Sequence, residues 1–140
     1  MSRDVMSIRI SSEVRSRLQS EARRIGEPPA TLAEHLIEEG LHQRAHPLIR
    51  SVDGPTGRRA RLVQGPDVWE LISFVQRSEA EGEVKVAHAA EWFGLPPTHI
   101  EAALAYYAAF PAEIDERIRL NEEALAEAEA IAAGRRQLLG

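Results

Sequence analysis

The sequence predicts a mainly α protein with short β segments: a strand–helix–helix module at the front, a hairpin followed by helices in the middle, and a C-terminal helix. Three observations predict it. Apolar residues alternate with period two over residues 5–10, then recur every three or four positions over Val14–Ile25 and Leu32–Leu41. A strong turn signal, Asp53-Gly54-Pro55-Thr56-Gly57, separates two short β-prone stretches. Beyond Pro66 the pattern is helical, punctuated at Gly82, Gly94 and Pro111.

The front elements read in order. Met6, Ile8 and Ile10 alternate with Val5, Ser7 and Arg9, the pattern of a half-buried strand. Ser11-Ser12-Glu13 supplies helix-capping residues, and Val14, Leu18, Ala22 and Ile25 form one apolar helical stripe. Gly26 stops that helix. A second helix starts near Pro28-Pro29, turns Leu32, Ala33, Leu36, Ile37 and Leu41 to one side, and ends before Pro47.

The remaining elements follow the same logic. Leu48–Val52 and Arg59–Val63 are the hairpin strands. Asp67 is placed to cap a helix reaching about Arg77, with Val68, Leu71, Ile72 and Val75 inward. Val86–Phe93 is a short helix and Gly94–Thr98 a turn. A helix from Thr98 to Ala109 carries Ile100, Ala103, Leu104 and Tyr107 on one face. Residues 112–133 are helix-forming, with seven Asp+Glu against two Arg. Ile118, Leu125, Ala132 and Leu139 recur every seven residues, with Ile114, Asn121 and Ala128 in companion positions, making a narrow seam for a partner. These readings divide the chain at 1–46, 47–111 and 112–140.

Composition narrows the class. Of 140 residues, 44% are hydrophobic and 28% charged, the balance of a folded globular chain. Cysteine is absent, which excludes disulfides and cysteine-bound zinc. No apolar run reaches the ~18 residues of a membrane span, and the opening residues lack a secretory apolar stretch, so a cytoplasmic location is expected. The net charge of -5 is unevenly spread: residues 1–61 hold 11 Lys+Arg and 8 Asp+Glu (+3), and residues 62–140 hold 6 and 14 (-8). All seven aromatic residues lie between Trp69 and Phe110. A front module of about 45 aliphatic-rich residues buries too little surface alone and needs a second copy or the middle segment.

The strand V-M-S-I-R-I, with the spacing to Val14, Leu18, Ile25, Gly26 and Leu36, resembles the ribbon-helix-helix class of MetJ, Arc and CopG over residues 5–41. The resemblance implies a homodimer in which two strands pair into an antiparallel ribbon. Met6, Ile8, Ile10, Val14, Leu18, Leu32 and Leu36 would form the dimer core. Val5, Ser7 and Arg9 would face the major groove of operator DNA, where a ribbon fits and Arg9 can grip guanine with two hydrogen bonds. It also implies phosphate contacts from Arg3 and from the start of the second helix, at Pro29, Ala30 and Thr31. Two prolines at that start remove two N–H donors and weaken this clamp, which Arg3 and the first-helix arginines would offset.

The stretch V-A-H-A-A-E-W-F-G-L-P, residues 86–96, resembles a helix-turn-helix, and with the hairpin it suggests a small winged-helix-like unit. Over residues 48–120, the run from Gly57-Arg58-Arg59 through Asp67-Val68-Trp69-Glu70 to Tyr106-Tyr107 resembles a domain of small bacterial antitoxins that accompany PIN-like ribonuclease toxins. Only Arg77 and Lys85 are cationic between Leu62 and Ile114, which favours a scaffold or protein-binding role over groove reading, with Arg58, Arg59 and Arg61 placed to touch a flanking backbone. The acidic tail, Glu113 to Glu129, reads either as a solvated helix or, as the resemblance implies, as a segment that docks on the toxin through Ile114, Ile118 and Leu125, while Arg135 or Arg136 blocks its metal site. The expected function is thus an autoregulating antitoxin. The alternative is a stand-alone regulator whose middle unit senses a ligand or protein. His35, His42 and His46 are read as ordinary helix-end histidines, no catalytic grouping or cofactor motif stands out, and neither enzymatic activity, metal nor cofactor is expected.

Overall fold

A computed structural model describes residues 2–55 and 57–140; Met1 and Thr56, the latter within the expected hairpin turn, lie outside the described residues. The first helix, α1 (Ser12–Ile25), begins where Ser11 adopts an extended conformation and its Oγ accepts the Val14 N–H at 3.1 Å. Glu13 in the first turn and Arg23 and Arg24 in the last complement the helix dipole. Gly26, at φ 71°, closes α1 by donating its N–H to the carbonyls of Ala22 and Arg23, a left-handed conformation that favours glycine. Helix α2 (Pro29–Ala45) follows with proline in its first turn.

Residues 2–11 belong to no helix or strand. The expected strand over residues 5–10 is therefore absent from the single chain. A two-stranded ribbon takes its ladder hydrogen bonds from a second strand, and one chain offers none.

The hairpin pairs β1 (Ile49–Val52) with β2 (Arg59–Leu62) antiparallel, matching Ile49 with Leu62, Arg50 with Arg61, Ser51 with Ala60 and Val52 with Arg59. Gly54 and Gly57 exchange backbone hydrogen bonds of 3.1 and 3.0 Å across the turn, with Gly57 at φ 100°. Four helices follow: α3 (Val68–Arg77), α4 (Glu83–Phe93), α5 (Pro97–Ala109) and α6 (Pro111–Leu139). Helix α4 starts three residues earlier than Val86, because Gly82 at φ 56° sets its N-terminus. Among the described residues no helix is long and apolar enough to cross a membrane.

The chain splits into two units, Met1–Arg44 and Ala45–Gly140. In the first, only Ala22 and Leu32 are buried among the described residues. In the second, Leu62, Val68, Leu71, Ile72, Ile100 and Ile114 are the largest fully buried side chains, drawn from the hairpin and from α3, α5 and α6. Ile118 also packs against this core. The first turns of α6 thus complete the second unit's interior. From Glu122 onward every residue of α6 is exposed.

Candidate functional site

In the first unit the residues expected to form a dimer core separate into two groups. Leu32 is already buried and Leu18 half-buried within one chain. Met6, Ile8, Ile10, Val14 and Leu36 remain between 46% and 82% exposed. Ile8, Ile10, Val14, Leu18 and Leu36, with Ile37, surround one apolar hollow of about 580 Å³ between the N-terminal segment and the two helices. Exposed aliphatic side chains of this size around one hollow leave a substantial apolar surface in water.

Val5, Ser7 and Arg9 are exposed. Arg3, expected to hold phosphate, donates from Nη2 to Glu34 Oε2 of α2 at 2.7 Å. That pair is solvent-exposed on both sides, so it ties the N-terminal segment to α2 only loosely and competes with any phosphate for the same guanidinium. At the start of α2, Pro29 and Ala30 are exposed and Thr31 is half-buried. Close by, His35 Nδ1 lies 2.9 Å from Glu27 Oε1.

No protein-family model, curated protein or solved structure matches this chain.

In the second unit, the turn between α4 and α5 is built as the glycine predicts. Gly94 at φ 64° donates to the carbonyls of Ala90 and Glu91, and Leu95 N–H donates back to Ala90 at 3.0 Å. Helix α5 buries Ile100, Ala103 and Tyr106, leaving Leu104 and Tyr107 half-buried. Its Thr98 and Glu101 are exposed and His99 half-buried. Tyr106 donates its hydroxyl to Glu113 at 2.8 Å and Tyr107 to Asp115 at 2.7 Å, two bonds that fix the start of α6 against α5. The Asp115 carboxylate, by accepting that bond, raises the Tyr107 pKa above its ordinary value. On α6, Arg119 reaches both Glu116 and Glu123; its guanidinium lowers the Glu116 pKa by hydrogen bonding.

Asp67 stands at the N-cap of α3 but its side chain makes no cap bond. It is buried and instead pairs with Arg59, accepts the Trp69 indole N–H at 3.2 Å and lies 3.5 Å from Arg61. The carboxylate thus turns to the guanidinium groups of β2 and the Trp69 indole rather than to the backbone of its own helix. The aspartate therefore staples the hairpin to α3.

The residues expected to meet a toxin are not one surface. Ile114 is 2% exposed and sits in the core, so it is unavailable to any partner of the folded chain. The reason is apolar packing: Ile114 belongs to the core cluster of the second unit, and the tyrosine-to-carboxylate bonds above flank it. Ile118 is half-buried, while Leu125, Arg135 and Arg136 are exposed on the projecting part of the helix. A feature that pattern reading missed is Trp92, 72% exposed and stacked on Phe74 with ring centroids 5.5 Å apart. With Trp69, Arg77 and Asn121 it borders an open hollow of about 500 Å³. Its signal was present in the sequence as a tryptophan beside the α4 terminus, where the helical stripe did not require one.

Proposed function

We propose that the protein is a homodimeric ribbon-helix-helix antitoxin that represses its own operon and neutralises a PIN-like ribonuclease. The observation that carries this reading is the uncovered apolar surface around Ile8, Ile10, Val14 and Leu36, flanked by a segment whose alternate residues, Val5, Ser7 and Arg9, are exposed. A second copy covers that surface and at the same time supplies the missing ladder for residues 5–10. The paired ribbon then presents Arg9 and Ser7 to base edges, and each good bidentate contact discriminates by about 1–3 kcal/mol.

The projecting half of α6 supports the partner side of the reading. Residues 122–139 extend roughly 27 Å as a helix without tertiary packing. Isolated helices of this length are marginal in water even when alanine-rich, so the segment is suited to finish its packing on a partner. Leu125, Ala128, Ile131, Ala132 and Leu139 share one side of it, and Glu122, Glu123, Glu127 and Glu129 suit a basic rim such as an RNA-binding surface.

Two variants test the two halves. Arg9→Ala is expected to abolish sequence-specific operator shifts in a gel while the chain stays dimeric; unchanged specific affinity refutes the ribbon assignment. Truncation after Asn121 spares the core of the second unit, and it is expected to abolish protection against the ribonuclease encoded by the adjacent reading frame while DNA binding persists. A truncated chain that still protects cells refutes the tail as inhibitor. The hollow beside Trp92 favours a second reading, a stand-alone regulator with a sensing middle unit; absence of a toxin reading frame next to the gene selects it.

A further inference from the structure

The hairpin of the second unit places two arginines directly opposite each other. Arg50 and Arg61 are partners in the antiparallel register, and both are exposed. Like charges facing across a strand pair destabilise a sheet. Side chains alternate between faces, so Arg50, Val52, Arg59 and Arg61 share the outer face while Ile49, Ala60 and Leu62 are buried on the inner one.

The available carboxylates do not neutralise this face. Asp67 is shared by Arg59 and Arg61, and Asp53 takes Arg58 at 2.8 Å. The Arg50 side chain makes no hydrogen bond or ion pair among the described residues. Residues 45–62 hold four Arg and one Asp, a balance of +3, whereas residues 63–140 hold 6 Lys+Arg and 14 Asp+Glu, a balance of -8. A cationic ribbon thus stands in an otherwise acidic unit, carrying a repulsion that an external polyanion relieves.

We propose that the outer face of this hairpin grips the phosphate backbone of duplex DNA, independently of base sequence. Arginine suits this task, because its planar fork donates two parallel hydrogen bonds to a phosphate. A phosphodiester strand also offers closely spaced negative charges, so neighbouring guanidiniums are neutralised together. An acidic protein surface is the competing occupant. It fits less well, because the face offers only the half-buried Val52 as an apolar centre, and specific protein interfaces are built around such centres. The grip adds to the proposed ribbon readout without requiring it.

The test uses the full chain with Arg50→Gln, and with Arg50→Gln combined with Arg61→Gln. Binding to a random-sequence duplex is followed by fluorescence anisotropy across a salt series. Circular dichroism melting checks that each variant folds, and Arg50→Gln is expected to raise the Tm by roughly 1–5 °C, since it removes the facing charge. Each arginine that no longer neutralises a phosphate is expected to flatten the plot of log K against log salt by about 0.9 per chain, thus by about 1.8 in the double variant. The ratio of operator to random-duplex affinity is expected to stay within about twofold, because phosphate binding carries no direct sequence information. Arg9→Ala behaves oppositely, lowering that ratio, so failure of the ribbon reading is separately visible. A folded double variant with the parent's salt slope overturns the proposal, as does one that keeps the slope but no longer binds the toxin.

Discussion

Replacing Ile8 by aspartate probes the uncovered surface of the first unit most directly. Met6, Ile8, Ile10, Val14 and Leu36 together leave the equivalent of nearly three whole side chains in water on each chain. At about 2 kcal/mol for each side chain buried, covering them in the two chains of the proposed dimer contributes on the order of 11 kcal/mol, before the cost of association and with the hydrogen bonds of the proposed ribbon in addition. Ile8 is 62% exposed, so Ile8→Asp removes a little over 1 kcal/mol of this per chain. It also forces a carboxylate into the interface, costing several kcal/mol more per copy. Two copies are affected, so the loss exceeds about 6 kcal/mol, a weakening of at least ~10⁴-fold in the dimer constant. Sedimentation equilibrium reads it out: the parent is expected to be dimeric at micromolar concentration and Ile8→Asp monomeric, with the melting of the second unit unchanged. A parent that sediments as a monomer, or a variant that dimerises as tightly as the parent, refutes the reasoning.

Three further outcomes are expected. Ile114→Ala is expected to destabilise the second unit by about 2–5 kcal/mol in urea unfolding, because truncating a buried core isoleucine leaves a cavity; a loss under about 1 kcal/mol contradicts its place in the core. Asp67→Asn breaks the buried staple to Arg59 and is expected to cost about 3 kcal/mol, seen as a lower urea midpoint; an unchanged midpoint shows that hairpin and α3 hold together without it. The phenolate absorbance that disappears on Tyr107→Phe substitution is expected to titrate above the ordinary pH of 10.0. The neutral phenol donates to Asp115, so the folded pKa is raised. The bond's stabilisation is accordingly full below the unfolded pKa and lost as pH rises through the folded one. A midpoint at or below 10.0 contradicts that bond.

Local signals were enough for several of the helix ends and for the hairpin turn. Ser11 and Gly26 bracket α1, Gly94 ends α4, and Asp53-Gly54-Pro55 with Gly57 marks the hairpin turn, because capping and positive-φ requirements act over a few residues and are written in residue type. The same holds for β1 and β2, whose paired positions alternate as their sequence does. The alternation of Met6, Ile8 and Ile10 with Val5, Ser7 and Arg9 was legible too, but in the single chain both sets are exposed. A strand needs a neighbour for its ladder hydrogen bonds, which local pattern does not record.

The sequence by itself determined where the chain turns, which residues are apolar on each helix, and how its charge is divided. Tertiary structure alone decided which of those apolar residues leave water. A seven-residue repeat runs unbroken from Ile118 to Leu139, yet α3 and α5 cover only the start of α6, so Ile114 is interior and Leu125 is bare. It likewise decided that Asp67 binds arginines rather than capping its helix, and that Arg50 faces Arg61. Burial and pairing depend on residues distant along the chain, and a one-dimensional pattern holds no record of which distant residue arrives.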